Sequence, residues 1–78
     1  MKTVITFGTF DVFHVGHLRL LQRARALGER LLVGVSSDAL NIAKKGRAPV
    51  YHQDDRMAII AGLACVDGVF LEESLEQK

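Results

Sequence analysis

Apolar residues fall along this chain in short blocks whose spacing alternates between that of a strand and that of a helix. Lys2 to Phe7 is β-branched and aromatic and stops at Gly8, which predicts a buried strand followed by a turn. From Gly16 to Leu27 the apolar positions Leu18, Leu20, Leu21, Ala24 and Leu27 recur at helical spacing between polar Arg19, Gln22, Arg23 and Arg25, and Gly28 offers a stop. Leu31 to Val35 reads as a second strand. Ser36, Ser37 and Asp38 supply capping oxygens for a short helix through about Ala43. Lys44 to His52, with the lone proline Pro49 and with Gly46, reads as a loop. Asp54 and Asp55 open a helix over 54–64, their charges matched to its positive end, and Val66 to Leu71 reads as the third strand.

The pattern is β-α-β-α-α-β, so the expected fold class is α/β: a Rossmann-like parallel sheet of three strands with flanking helices. Strand orders 3-2-1 and 2-1-3 both fit, and the apolar character of the first strand favours 2-1-3, with that strand in the centre. Ligands of such sheets sit off the carboxyl ends of the strands. Thr9, His14 and Ser36 are therefore expected on one rim.

Seventy-eight residues suffice for one small domain and no more. A formal charge of +1 gives no reason to expect a nucleic-acid or membrane surface, so an anion site would have to be local. Cys65 is the single cysteine, which excludes an internal disulfide and fits a reducing, cytoplasmic setting. No apolar stretch is long enough to span a bilayer.

The chemistry concentrates between Gly8 and His17. A loop that leaves a strand and enters a helix directs backbone N–H groups and the positive end of the helix at one point, which suits phosphate. Gly8 and Gly16 allow close backbone approach. His14 and His17, three apart at the helix start, can turn both imidazoles toward one anion. Taken singly, each histidine is more ordinary as a surface or satisfied core residue. A zinc site would need further ligands, and His52 and Cys65 are poorly spaced for it. Asp11 could orient a metal's water shell or cap the turn before the helix, and capping is the simpler role. Arg56 opposes the dipole in the first turn of its helix, a place explained by an anion or by an ion pair with Asp54 and Asp55. Asp38, Asn41 and the Leu18, Leu21, Ala24 stripe read as structural. Lys44, Lys45 and Arg47 are by composition a solvated basic cluster.

Gly8-Thr9-Phe10-Asp11, two residues, then His14-Val15-Gly16-His17 resembles the hallmark of the cytidylyltransferase-like nucleotidyltransferases. Val4 to Asp11, Leu20-Leu21, Arg23-Ala24, Leu27-Gly28, Ser36, Asp38 and Val66-Asp67 look most like the glycerol-3-phosphate cytidylyltransferase branch. The resemblance implies transfer of CMP from CTP to a small phosphate ester, such as the phosphorylated alcohol glycerol 3-phosphate, with release of pyrophosphate. It implies nucleotide contacts at Gly8, Thr9, Phe10, Asp11, His14, Gly16, His17 and Lys45, catalytic roles for His14, His17 and Lys44, and substrate contacts at Lys44, Arg56 and Lys78. Magnesium is expected mainly on the nucleotide phosphates, with no protein-built metal site.

Family members continue with two further strands and an Arg-x-x-x-Ile-Ser-x-[Ser/Thr] motif, so residues 1–78 correspond to the N-terminal part of the domain. A non-catalytic phosphate-binding remnant and an adenylyltransferase of the same superfamily are the alternatives. Little turnover by the 78 residues alone is the corresponding expectation, as is a homodimer that covers the incomplete sheet edge. Replacing either histidine is expected to lower turnover without moving the melting temperature.

Overall fold

A computed structural model describes residues 1–73, so Lys78 lies outside the described residues. The order is β1 (Thr3–Gly8), α1 (Val15–Arg25), β2 (Arg30–Ser36), α2 (Asp38–Lys45), α3 (Gln53–Ala61) and β3 (Gly68–Glu72). All three strands are parallel, with Thr3 opposite Arg30 and Gly8 opposite Val35 on one side of β2, and Leu32 opposite Gly68 on the other. Among the described residues, no helix is long and apolar enough to cross a membrane.

The sheet order is β1-β2-β3, so 3-2-1 holds and the favoured 2-1-3 is overturned. The reason lies in β2. Leu31, Val33, Val35 and Ser36 are all buried, the near-continuous burial of a parallel strand flanked on both edges. On β1 burial alternates instead, leaving Ile5 and Phe7 exposed, as an edge strand permits.

One face of the sheet carries the core. Leu31, Val33 and Val35 pack with Phe10, with Leu21 of α1 and with Ile60 of α3, and Val4 and Val69 border them. On the opposite face Phe7 and Phe70 meet edge to face, 5.7 Å apart at 87°. They do so above Gly34 of β2, where a Cβ would stand 2.6 Å from the Phe7 ring. The outer strands thus touch across a gap that only glycine leaves open.

Several boundaries differ from the sequence pattern, among them the start of β3 at Gly68 rather than Val66. Helix α1 ends at Arg25, with Ala26 as its cap, and Gly28 serves close packing instead: a Cβ there would lie 2.7 Å from the Lys2 carbonyl oxygen. Helix α2 runs on through Lys44 and Lys45 to a left-handed Gly46 (φ 76°), so both lysines belong to the last turn, where cations suit the helix dipole. Helix α3 stops at Ala61 before Gly62.

The strands and helices are joined by one buried cation. Arg56 has no solvent exposure. Its Nε donates to the Tyr51 carbonyl at 2.9 Å, one terminal nitrogen donates to the Thr9 and Ser36 carbonyls at 2.9 and 2.7 Å, and the other donates to Asp38 Oδ1 at 2.6 Å. Asp38 also accepts from the Gln53 N–H at 3.2 Å, while Gln53 Oε1 accepts from the Asp38 N–H at 2.9 Å. The partner of Arg56 is therefore Asp38, and Asp54 and Asp55 are not its counterions. Burial works against ionisation of Asp38, but the Arg56 and Gln53 hydrogen bonds and the charges of Arg56 and His52 outweigh it and hold the carboxyl below its usual range.

Arg56→Met would take the guanidinium away from three carbonyls and the Asp38 carboxylate, a loss of about 3–5 kcal/mol by the behaviour of broken buried pairs. A single core of this size supplies no more than about 3–5 kcal/mol, so the variant is expected to lose its far-ultraviolet circular dichroism at 25 °C. Retention of a cooperative melt near that of the parent would contradict this role.

Candidate functional site

The carboxyl ends of β1 and β2 meet two segments, the turn from Thr9 to His14 and the connection from Gly46 to His52. Beside the turn lie two adjoining hollows of about 320 and 410 Å³, in the size range of small-molecule sites, the first of them between the turn and the connection. Thr9, Asp11 and Lys45 line both. The first adds Asn41, Arg47, Pro49 and Val50, and the second adds Phe7, Gly8, Phe10, His17 and Leu20.

The turn after β1 is held in an unusual shape. Phe10 and Val12 have positive φ angles of 53° and 48°, a conformation costly for side chains other than glycine and most of all for a β-branched one. Burial of the Phe10 ring in the core offsets part of that cost. The ring crosses Gly8 so closely that a Cβ there would be 2.6 Å from it. Gly8 is thus required by packing.

His14 and His17 close the start of α1. His14 Nδ1 accepts the Gly16 N–H at 3.0 Å, and His17 Nδ1 accepts the His14 N–H at 3.2 Å. This is a reciprocal capping box with imidazoles in place of the usual side chains. A nitrogen that accepts carries no proton, so both neutral rings keep theirs on Nε2. The rings lie with centroids 3.9 Å apart, and His17 also meets Phe10 and Phe13. Gly16 makes room, since a Cβ there would be 2.8 Å from the His14 ring. Burial first, and the neighbouring His14 second, push the His17 pKa below its ordinary value. His17 can therefore meet an anion as a neutral donor through Nε2, and the helix end adds its own positive field.

Behind the rim is a closed polar ring. Ser36 Oγ donates to Thr9 Oγ1 at 3.1 Å, Thr9 Oγ1 donates to Asn41 Oδ1 at 3.0 Å, and Asn41 Nδ2 donates to Ser36 Oγ at 2.9 Å. The Thr9 hydroxyl is thereby committed within the fold, though Thr9 still lines both hollows. Asn41, read as structural from sequence, is both a structural residue and part of the wall. Its signal was position: a poor helix former in a short helix, four residues after the Ser37 cap, pointed to a side chain bonded to the backbone.

Of the expected site residues, the structure gathers Gly8, Thr9, Phe10, Asp11, His17 and Lys45 around the hollows, with His14 against His17 and Gly16 beneath His14. Lys44 lines neither hollow, whereas Arg47, given no site role beforehand, lines the first. Arg56, expected to approach a substrate phosphate, is corrected to an interior brace because its side chain is wholly buried. Among the described residues, no group of three His, Cys, Asp or Glu side chains could hold a metal ion.

Because both rings cap α1, replacing them is now expected to lower stability, in place of the unchanged melting temperature expected from the sequence. His14→Ala should cost about 0.5–2 kcal/mol. The lowered His17 pKa means that the unfolded chain protonates first as pH falls. The stabilisation is complete above about pH 6.5 and is lost as pH descends toward the folded-state value. His17→Gln keeps a side chain suited to the capping box but cannot titrate. Thermal melts between pH 8 and 5 should show a shallower decline for this variant than for the parent, and equal declines would contradict the burial that lowers the His17 pKa.

A sequence model described as cytidylyltransferase-like matches residues 5–78. Glycerol-3-phosphate cytidylyltransferase of Bacillus subtilis (strain 168) is 46% identical over 79 residues, covering 100% of this chain and 60% of that protein. Bifunctional protein HldE of Shewanella denitrificans is 48% identical over 79 residues, covering 97% of this chain and 17% of that one. The crystal structure of a lipopolysaccharide core biosynthesis protein from Thermoplasma volcanium GSS1 superposes with a TM-score of 0.85 at 33% identity, over 92% of this chain and 58% of the other. The chain thus spans 60% or less of the length of these relatives. With the parallel three-stranded fold, the paired histidines at the start of α1 and a match over nearly all of its length, the chain belongs to the cytidylyltransferase-like family.

Proposed function

We propose that this chain carries the phosphate-binding part of a nucleotidyltransferase that moves CMP from CTP to a small phosphate ester such as glycerol 3-phosphate. The observation behind this reading is the hydrogen bonding of the histidine pair: both Nδ1 atoms accept backbone N–H groups in the cap, which leaves the two Nε2 atoms to donate beside a helix N-terminus. The choice of CTP and of a glycerol 3-phosphate-like acceptor rests on the 46% identity with glycerol-3-phosphate cytidylyltransferase.

In this reading an oxygen of the acceptor phosphate attacks the α-phosphorus of CTP. The new P–O bond forms as the bond to the β-phosphate bridging oxygen breaks, and pyrophosphate leaves. The nucleophile is already anionic, so no general base is needed. The histidines donate to non-bridging oxygens where charge builds, and Lys45 and Arg47 face the leaving pyrophosphate from the α2 side. Catalysis would then come from alignment and charge stabilisation. Asp11 is the acid on the rim, and three backbone N–H groups already occupy its oxygens. Magnesium in this reading would be carried chiefly by the nucleotide phosphates.

Titration of the chain with pyrophosphate and with CTP, together with a turnover assay over CTP and ATP with several phosphate monoesters, tests the reading. Pyrophosphate should bind, and Lys45→Ala should weaken it by about tenfold, the equivalent of one charge-assisted contact. In an active full-length protein, His17→Ala should lower kcat by about a hundredfold or more. Failure of pyrophosphate and CTP to bind would sink the proposal, and formation of the ATP-derived product in preference to the CTP-derived one would redirect it to an adenylyltransferase.

A further inference from the structure

Asp11 is out of place by charge. It lines both hollows, whose other ionisable side chains are Lys45, Arg47 and His17, and a carboxylate there repels the phosphates that the site is read to hold. Its hydrogen bonds explain why an acid stands there. Asp11 Oδ2 accepts the Val50 N–H at 2.7 Å, and Oδ1 accepts the Tyr51 N–H at 2.8 Å and the Val12 N–H at 3.1 Å. Two of these bonds reach across 39 and 40 residues, joining the turn after β1 to the connection between α2 and α3. The Tyr51 carbonyl is held from the other side by Arg56. The strained φ angles of Phe10 and Val12 flank Asp11 on both sides and place it between the two segments.

We propose that Asp11 is a positioning residue: its carboxylate latches the Gly46 to His52 connection against the β1 turn and so sets where Arg47 stands over the anion hollow. The latch itself rests only on the hydrogen bonds, and its effect on binding rests on the phosphate-site reading above. Although burial opposes its ionisation, the amides of Tyr51, Val50 and Val12 and the charge of Arg56 hold the carboxyl below the usual range, as the latch requires. Latching the connection by its backbone is independent of which side chains the connection carries.

The proposal is tested with Asp11→Asn, Arg47→Ala and the double variant, titrated with inorganic pyrophosphate without and with magnesium, alongside amide hydrogen exchange. A positioning role predicts that Asp11→Asn weakens magnesium-free pyrophosphate binding by about tenfold, although removing a negative charge by itself would tighten it. The loss should nearly vanish in the Arg47→Ala background, because the two changes act on one element. Exchange at Val50 and Tyr51 should quicken while β2 stays protected. Tighter binding, additive losses, or a loss confined to magnesium-containing buffer would overturn the proposal, the last in favour of a metal contact. If the parent binds no pyrophosphate, the phosphate-site reading fails and exchange alone decides the latch, with unchanged Val50 and Tyr51 rates counting against it. If Asp11→Asn does not fold, the parent's Val50 and Tyr51 amide resonances should follow the titration of the Asp11 carboxyl carbon, and resonances indifferent to it would overturn the latch.

Discussion

Arg56 brings a guanidinium into the interior and spends four of its five N–H groups on partners from four separate places in the chain: the β1 end at Thr9, the β2 end at Ser36, the N-terminus of α2 at Asp38 and the connection at Tyr51. The strand ends it joins are those that line the site. A planar fork can meet these carbonyls only if they converge, so the residue fixes their relative positions and a flexible ammonium could not replace it. The site is built on this brace. Thr9 is set by it, the turn that follows leads to His14, and the connection it holds at Tyr51 is the one Asp11 grips from above.

The histidine pair shows how stability and chemistry share atoms. Each imidazole has two nitrogens, and the fold uses the inner one of each to finish a helix. The outer nitrogens keep their protons for that reason. A carboxylate in the same place could cap the helix but, having only acceptors, could not donate to an anion. The Gly16 position follows from the same need, because the His14 ring lies where any Cβ would be.

Much of this was legible in the sequence, and the parts that were not share a physical cause. The strand and helix blocks follow from local spacing, and His-x-Gly-His marks a helix start because its glycine and its rings act within one turn. Strand order was misjudged because it depends on which strand is buried on both faces, a property of the assembled sheet. The apolar content of β1 resembles that of β2, and only the exposure of Ile5 and Phe7 tells them apart. Arg56 was legible as an anomaly, a cation at the wrong end of a helix, but its partners lie 5 to 47 residues away and no local rule finds them. Lys44 and Lys45 illustrate the opposite case. Neighbours in sequence, they diverge by the turn of a helix, and one of them lines the hollows.

The contact of Phe7 with Phe70 over Gly34 has a spectroscopic consequence. These rings belong to strands that share no hydrogen bond with each other, and they meet only when β1 and β3 have both docked on β2. The Gly34 α-proton that takes the Cβ direction lies beside both rings, so it experiences two ring currents in the assembled sheet and one or none in any partly assembled form. A single glycine resonance therefore records completion of the whole sheet, without a label.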